Sequence, residues 1–263
     1  MQKKQRLNEI LTEDNKLPGA LKFSSKENLE SLQNGTLYLN NFQYYKDVEL
    51  KEKRKGQGDA FDVTLRISDV DITFEHPETG EVLLKGKASN SNLESKEDYQ
   101  KHLFCMTGIT TDLLEIVEIK DNVATTRLAL SDELKERALE NFGDHVMFIN
   151  MGRFTERVKQ VCIEKGIIAI GNRVEYRDMS INHTDRIKAF GTGDVSFFFQ
   201  KDNFFAYQSE YRFLFPELIG EKAEIINIGS IREFTNIFPT KQFLEMNIEF
   251  KLTLSETDEV TTK

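Results

Sequence analysis

Tryptophan is absent from this 263-residue chain, and cysteine and proline occur only twice and four times. The cysteines, Cys105 and Cys162, are widely separated and set in apolar contexts, so they read as two buried thiols rather than a disulfide framework. The four histidines, His76, His102, His145 and His183, are scattered, and no metal-ligand spacing arises from them. No Pro-, Gly- or Ser-rich linker and no internal repeat interrupts the chain, so nothing marks an interdomain boundary. Long apolar runs are missing too. Ile167-Ile168-Ala169-Ile170 is far too short to cross a bilayer, and the basic start Met1–Arg6 has no apolar stretch after it, so no signal peptide is expected. A cytoplasmic protein with no membrane association is expected.

Positive charge is in deficit. The net charge is −9 and the pI near 5.2. An acidic protein is repelled by phosphate backbones, so nucleic acid is disfavoured as a partner. The one basic run, Lys51 to Lys55, is interrupted by Glu52 and preceded by Asp47 and Glu49, and reads as a solvated loop.

What is present suffices for a core. Hydrophobic residues make up 39% and charged residues 30%, the balance of one large, well-solvated domain. Residues 1–18 are polar up to Pro18-Gly19 and read as an N-terminal arm; residues 19–254 form the domain; residues 255–263 read as a flexible tail. Leu21-Lys22-Phe23 predicts a strand, Ser24 to Glu27 has capping-box spacing for a short helix closed by Gly35, and Thr36–Asn40 resumes as a strand. Residues 42–60 read as a long loop and 61–87 as a β-meander with a turn at His76–Gly80. His102–Thr107 predicts a central strand, and Asp121-Asn122 the turn of a hairpin. Phe154, Val158, Val161 and Cys162 mark an amphipathic helix stopped by Gly166, while Arg177–Asp194 is polar with a Gly191-Thr192-Gly193 turn. Many strands on hairpin-scale turns, with a few short packed helices, predict an α+β fold on mostly antiparallel mixed sheets.

The densest segment is Phe197 to Phe215, read as strand-like. Within it Gln208, Glu210 and Arg212 alternate with Tyr207, Ser209, Tyr211 and Phe213, so a strand would align three polar groups on one face and set aromatics on the other. The bland alternative is a solvated face with a Glu–Arg contact.

This run resembles the hallmark of a bacterial and phage domain-of-unknown-function family, a Lys before a Trp followed by a Glu-x-Glu-x-Arg strand. Here Lys201 stands first, Phe205 replaces the Trp, Gln208 replaces the first Glu, and Glu210 and Arg212 follow. The order of Phe23-Ser24, Leu37-Tyr38-Leu39, Phe104-Cys105-Met106 and Val174–Asp178 is similar as well. A weaker resemblance is to ADP-ribosyltransferases, whose Glu/Gln-x-Glu pair is matched by Gln208-Ser209-Glu210, with Lys22 where an early Arg stands in that family.

Three functions follow, the first two tied to the resemblances and the third to the carboxylates alone. The first is a phage or bacterial conflict protein that binds and inhibits a host or defence protein, with no cofactor. The second is an NAD-using transferase with Glu210 and Gln208 as catalytic residues and Arg212, Lys201, Tyr207 and Lys22 binding the ligand. The third is a carboxylate-metal phosphoesterase built on Asp59, Asp62 and Glu210; no residue is assigned as a metal ligand, because the required spacing is missing. A groove around Glu210 favours the second, a cluster of the three carboxylates the third, and a flat apolar patch without a cleft the first.

Overall fold

The computed structural model describes residues 5–11, 17–53 and 56–254. From the first strand, β1 (Gly19–Ser24), the chain passes through α1 (Lys26–Gln33) to β2 (Thr36–Asn41) and α2 (Phe42–Glu52). A loop leads to a long hairpin, β3 (Leu65–Glu75) and β4 (Val82–Leu93), and a single turn, α3 (Lys96–Tyr99), precedes β5 (Lys101–Ile109). A second hairpin follows, β6 (Leu114–Lys120) and β7 (Val123–Leu128), then α4 (Asp132–Arg137), β8 (His145–Asn150), α5 (Met151–Lys165), β9 (Ile170–Arg173), β10 (Glu175–Arg177) and α6 (Thr184–Thr192). The chain finishes with β11 (Gln200–Asp202), β12 (Glu210–Ile219), β13 (Glu224–Asn227), β14 (Thr235–Pro239), α7 (Thr240–Glu245) and β15 (Glu249–Thr253).

The fold is α+β and mostly antiparallel. Eight strands form the main sheet in the order β13-β2-β5-β1-β8-β14, with β12 against the free edge of β5 and β9 beyond it. A three-stranded sheet, β15-β7-β6, and the β3–β4 ribbon are antiparallel, and β10–β11 is a parallel pair. Period-2 alternation sorts the main sheet's side chains between its faces. Ala20, Phe104, Met106, Met147, Phe213 and Phe215 pack with Phe154 and Val158 of α5. Their neighbours Leu21, Ile109 and Val146 face a second cluster, and Leu103 and Leu214 a third with Phe42 and Phe197. Both faces are therefore covered, which is why these strands read as nearly continuous apolar runs.

The sheet forks at β5. One edge of β5 is shared by two strands: β1 pairs it through Leu21↔Thr107, and β2 pairs it through Asn40↔Leu103. Between these registers Phe104, Cys105 and Met106 lack a strand partner on that side, because β1 turns away to β8 and β2 to β13. The Cys105 carbonyl, left free by the fork, accepts a hydrogen bond from Lys22 Nζ at 2.7 Å. The side chain of β1 thus supplies the donor its backbone no longer does.

Several expectations hold. The α5 helix ends at Gly166, whose φ of +65° suits a left-handed cap, and Asp121 and Asn122 both sit at positive φ in the β6–β7 turn. The helix predicted from Ser24 begins one residue later, with Ser25 Oγ accepting the Asn28 N–H.

Four readings are corrected. Residues 42–52, expected in a loop, form α2, because Asn41 Oδ1 caps the Tyr44 N–H at 2.8 Å and Phe42 and Val48 anchor one face. The expected meander is one long hairpin: Asp69 takes a positive φ inside β3, so the Ser68-Asp69 step does not turn the chain. Residues 5–11 are no separate arm, since Leu7, Ile10 and Leu11 are buried beside Leu114. The Gly191-Thr192-Gly193 turn is the C-terminal end of α6. The expected tail, 255–263, lies outside the described residues.

Candidate functional site

The fork opens into a cleft of about 630 Å³. Because the sheet is split there, the cleft reaches side chains from both faces. Lys22 and Phe104 come from one, Cys105, Glu210 and Arg212 from the other, and Tyr45, Asp59 and Asp62 arrive from α2 and the loop after it.

Arg212 is the centre of the cleft wall. It occupies the middle of the sheet yet is among the most buried side chains in the protein, at 1% exposure. Its Nε donates to Glu210 Oε1 at 2.5 Å; Nη1 and Nη2 clasp Asp62 at 3.1 and 2.6 Å; Nη1 also donates to the Phe198 carbonyl at 2.7 Å. Lys201 Nζ then bonds Glu210 Oε2 and Gln208 Oε1, each at 3.1 Å, and lies 4.3 Å from the centre of the Phe205 ring. Gln208 Nε2 completes the chain of contacts on the Gly56 carbonyl at 2.6 Å. Buried charges need such full pairing, because each unpaired member would carry its whole desolvation cost.

Backbone geometry explains how these groups meet. The expected continuous strand from Phe197 to Phe215 is broken: residues 195–199 and 203–208 are 3-10 turns around the short β11. Asp194 and Asp202 cap those turns through the N–H groups of Ser196 and Phe204. Ser209 then takes φ +45°, a left-handed conformation rare for a non-glycine residue, and β12 begins at Glu210. Glu210 and Arg212 do share a strand face, whereas Gln208 reaches the cluster through the kink. Val63, next to Asp62, has φ +50°, an outlier for a β-branched residue. Backbone strain of about 1–3 kcal/mol per residue of this kind persists where packing over-determines the site.

The expected site residues separate accordingly. Lys22, Lys201, Gln208, Glu210 and Arg212 all line the cleft. Tyr207 does not line it; its ring packs with Phe204 and under the Arg137 guanidinium. Asp59 and Asp62 line the cleft, but the Asp62 oxygens are taken by Arg212, which also holds Glu210, so two of the three carboxylates converge on a guanidinium. Among the described residues no group of three or more His, Cys, Asp or Glu side chains is placed to hold a metal ion. The long reach from Asp62 to Arg212, and the fork that admits Tyr45, carry no local sequence signal.

The electrostatics of the cleft divide by partner. Burial works against the charge of Glu210, but Arg212 and Lys201 overcome it and hold the carboxyl far below its usual value. Burial also opposes Lys201, which Glu210, Asp59 and Asp62 keep protonated. Burial lowers Lys22, which makes no salt bridge with any described residue. Burial likewise pushes the Tyr45 hydroxyl and the Cys105 thiol well up, which disfavours the thiolate form of Cys105.

Asp59 stands apart. Burial and the neighbouring Asp62 carboxylate raise it to about 6, and among the described residues its Oδ1 accepts only the Phe61 N–H, at 2.9 Å. Between its ordinary value of 3.8 and about 6 the folded state holds a proton the unfolded chain releases, so stability falls as pH rises through that window. Asp59→Asn keeps the acceptor and removes the charge. It is expected to be more stable than the parent above pH 6, by on the order of 1–3 kcal/mol, and to lose the pH 4–6 slope. Urea midpoints at pH 4.5 and 7.5 check this; equal differences at both would contradict it.

His102, which opens the central strand, proves structural. It is fully buried, with Nδ1 2.8 Å from the Leu218 carbonyl and Nε2 2.7 Å from the Lys222 carbonyl, pinning the turn after β12. His102→Leu removes the ring N–H that these carbonyls face and is expected to cost about 1–3 kcal/mol. Thermal melting measures that loss; an unchanged melting temperature would contradict the clamp.

In comparisons with known proteins the chain matched no family model, no curated protein and no solved structure.

Proposed function

We propose that the cleft at the fork cleaves NAD, as a transferase or glycohydrolase of the ADP-ribosyltransferase kind with Glu210 as its key carboxylate. One observation carries the reading: Lys22, Gln208 and Glu210, the residues matched by the resemblance, meet on one cleft although the first is far from the others in sequence. The volume, about 630 Å³, falls in the range of small-molecule sites.

In this reading the bond from ribose C1′ to the nicotinamide nitrogen breaks, and its electron pair leaves on nicotinamide. The oxocarbenium-like C1′ is captured by water or by an acceptor side chain, which gives up its proton. Glu210 stays ionised between Arg212 and Lys201, and with the Cys105 thiol also bonded to it, one of its roughly four lone-pair sites remains to accept a ribose hydroxyl. Gln208 is held beside it to orient the acceptor. Asp59, titrating near neutrality, takes the acceptor's proton. The Lys22 ammonium, bonded to the Cys105 carbonyl but in no salt bridge with a described residue, meets the anionic part of the dinucleotide.

A phage or bacterial conflict protein that inhibits a host or defence protein by binding alone calls for a flat apolar surface without a cleft. The polar cleft favours the enzymatic reading, and a conflict setting is compatible with both. The phosphoesterase reading loses two of its three carboxylates, Asp62 and Glu210, to Arg212. Incubation with labelled NAD and cell lysate tests the proposal. Free nicotinamide or a labelled protein is expected, and intact NAD with no labelled product would sink it.

A further inference from the structure

The β3–β4 ribbon is built for contact rather than for the core. Its strands run 11 and 12 residues, about 37 Å, and a two-stranded hairpin of this kind is marginal in water by itself. Asn182 and Ser180 hold its base through Ser68; beyond Ser68 no hydrogen bond ties it to the rest of the described residues. The register Val70↔Ala88, Ile72↔Gly86 and Phe74↔Leu84 sets apolar residues on one face. Asp71, Thr73, Lys85 and Lys87 occupy the other, with an Asp71–Lys87 ion pair at 3.5 Å. Toward the tip the apolar character wraps around: the irregularity between Phe74 and Glu75 leaves Leu83 unpaired, and Phe74, Leu83 and Leu84 are 54%, 61% and 59% exposed. Three exposed acids surround this tip, Glu75, Glu78 and Glu81, and none forms a salt bridge with a described residue.

We infer that the ribbon tip is a protein-docking element whose partner presents an apolar pocket rimmed by lysine or arginine. Charge complementarity selects the rim, and exposure on both sides of the tip selects a pocket over a flat face. A second copy of the chain fits poorly. Face-to-face pairing of two ribbons about 37 by 10 Å buries on the order of 700 Å², below the roughly 1,200 Å² of a stable interface. Tip-to-tip pairing would oppose six carboxylates. The same acids repel an anionic membrane. The inference is independent of the chemistry in the cleft.

Two labelled amphipathic peptides of equal length, one patterned with Leu and Lys and the other with Leu and Glu, test it by fluorescence anisotropy on the full chain at physiological salt. The Leu/Lys peptide is expected to bind at least ten-fold more tightly than the Leu/Glu peptide. Leu84→Asp should weaken it ten-fold, and the triple change Glu75→Lys, Glu78→Lys, Glu81→Lys should reverse the preference. These side chains are exposed, so melting temperatures should match the parent. Binding of neither peptide, or binding unaltered by Leu84→Asp, would overturn the inference. So would a dimer in sedimentation velocity that Leu84→Asp dissociates, or flotation with neutral lipid vesicles that the same change abolishes.

Discussion

Arg212→Met is expected to destabilise the protein by about 3–5 kcal/mol, the cost of breaking a buried ion network from one side. The methionine fills the volume, but it strands Asp62 and Glu210 in the interior and releases the Phe198 carbonyl. The loss should shrink as pH falls. The parent draws stability from a Glu210 held below its usual value, and that contribution is present above about pH 4.5 and lost in acid, whereas the variant keeps only the share that Lys201 supplies. Arg212→Lys should recover only part of the loss, because an ammonium cannot clasp Asp62 with two nitrogens while a third meets Glu210. Urea unfolding at pH 7 and pH 4 measures both variants; a shift under 1 kcal/mol at pH 7 would show that the network is not what holds the loop at Asp62.

Glu210→Gln should have the largest effect on function. Glutamine keeps the shape but only one acceptor oxygen, so either Arg212 or Lys201 meets an amide NH2 and the variant is also expected to be less stable. The charge facing the cleft is gone. Turnover of NAD is expected to fall on the order of 10²–10³-fold, the cost of removing one preorganised electrostatic contact to a developing charge. Gln208→Ala should act more mildly and chiefly on transfer to an acceptor, since Gln208 bonds Lys201 and the Gly56 carbonyl rather than holding the charge itself. A variant of Glu210 with full turnover would remove that residue from the chemistry.

How much of this was legible in the sequence depended on range. Local signals read well: Asp121-Asn122 for a hairpin, the 3.6 period of Phe154, Val158 and Cys162 for α5, and the apolar run at His102–Thr107 for a buried strand. They failed where a side-chain cap decided the conformation. Asn41 turned an apparent loop into α2, and Asp194 and Asp202 folded an aromatic, strand-like stretch into 3-10 turns. The polar face on Glu210 and Arg212 was visible from alternation alone. What it faced was not, because Asp62 approaches from 150 residues earlier and the fork at Cys105 exists only once β1 and β2 share one edge of β5. Asp59 went unread as an acid–base group for the same reason: its raised value comes from burial beneath neighbours it meets only in the fold.

The central claim is that the cleft holding Glu210 cleaves NAD. Proton NMR of NAD incubated with stoichiometric protein at pH 7 follows nicotinamide release without an acceptor or a coupled assay. Free nicotinamide is expected to accumulate with the parent and to be slowed at least 100-fold by Glu210→Gln, at a temperature where circular dichroism shows both proteins folded. NAD left intact by the parent, or released equally fast by both proteins, would contradict the account.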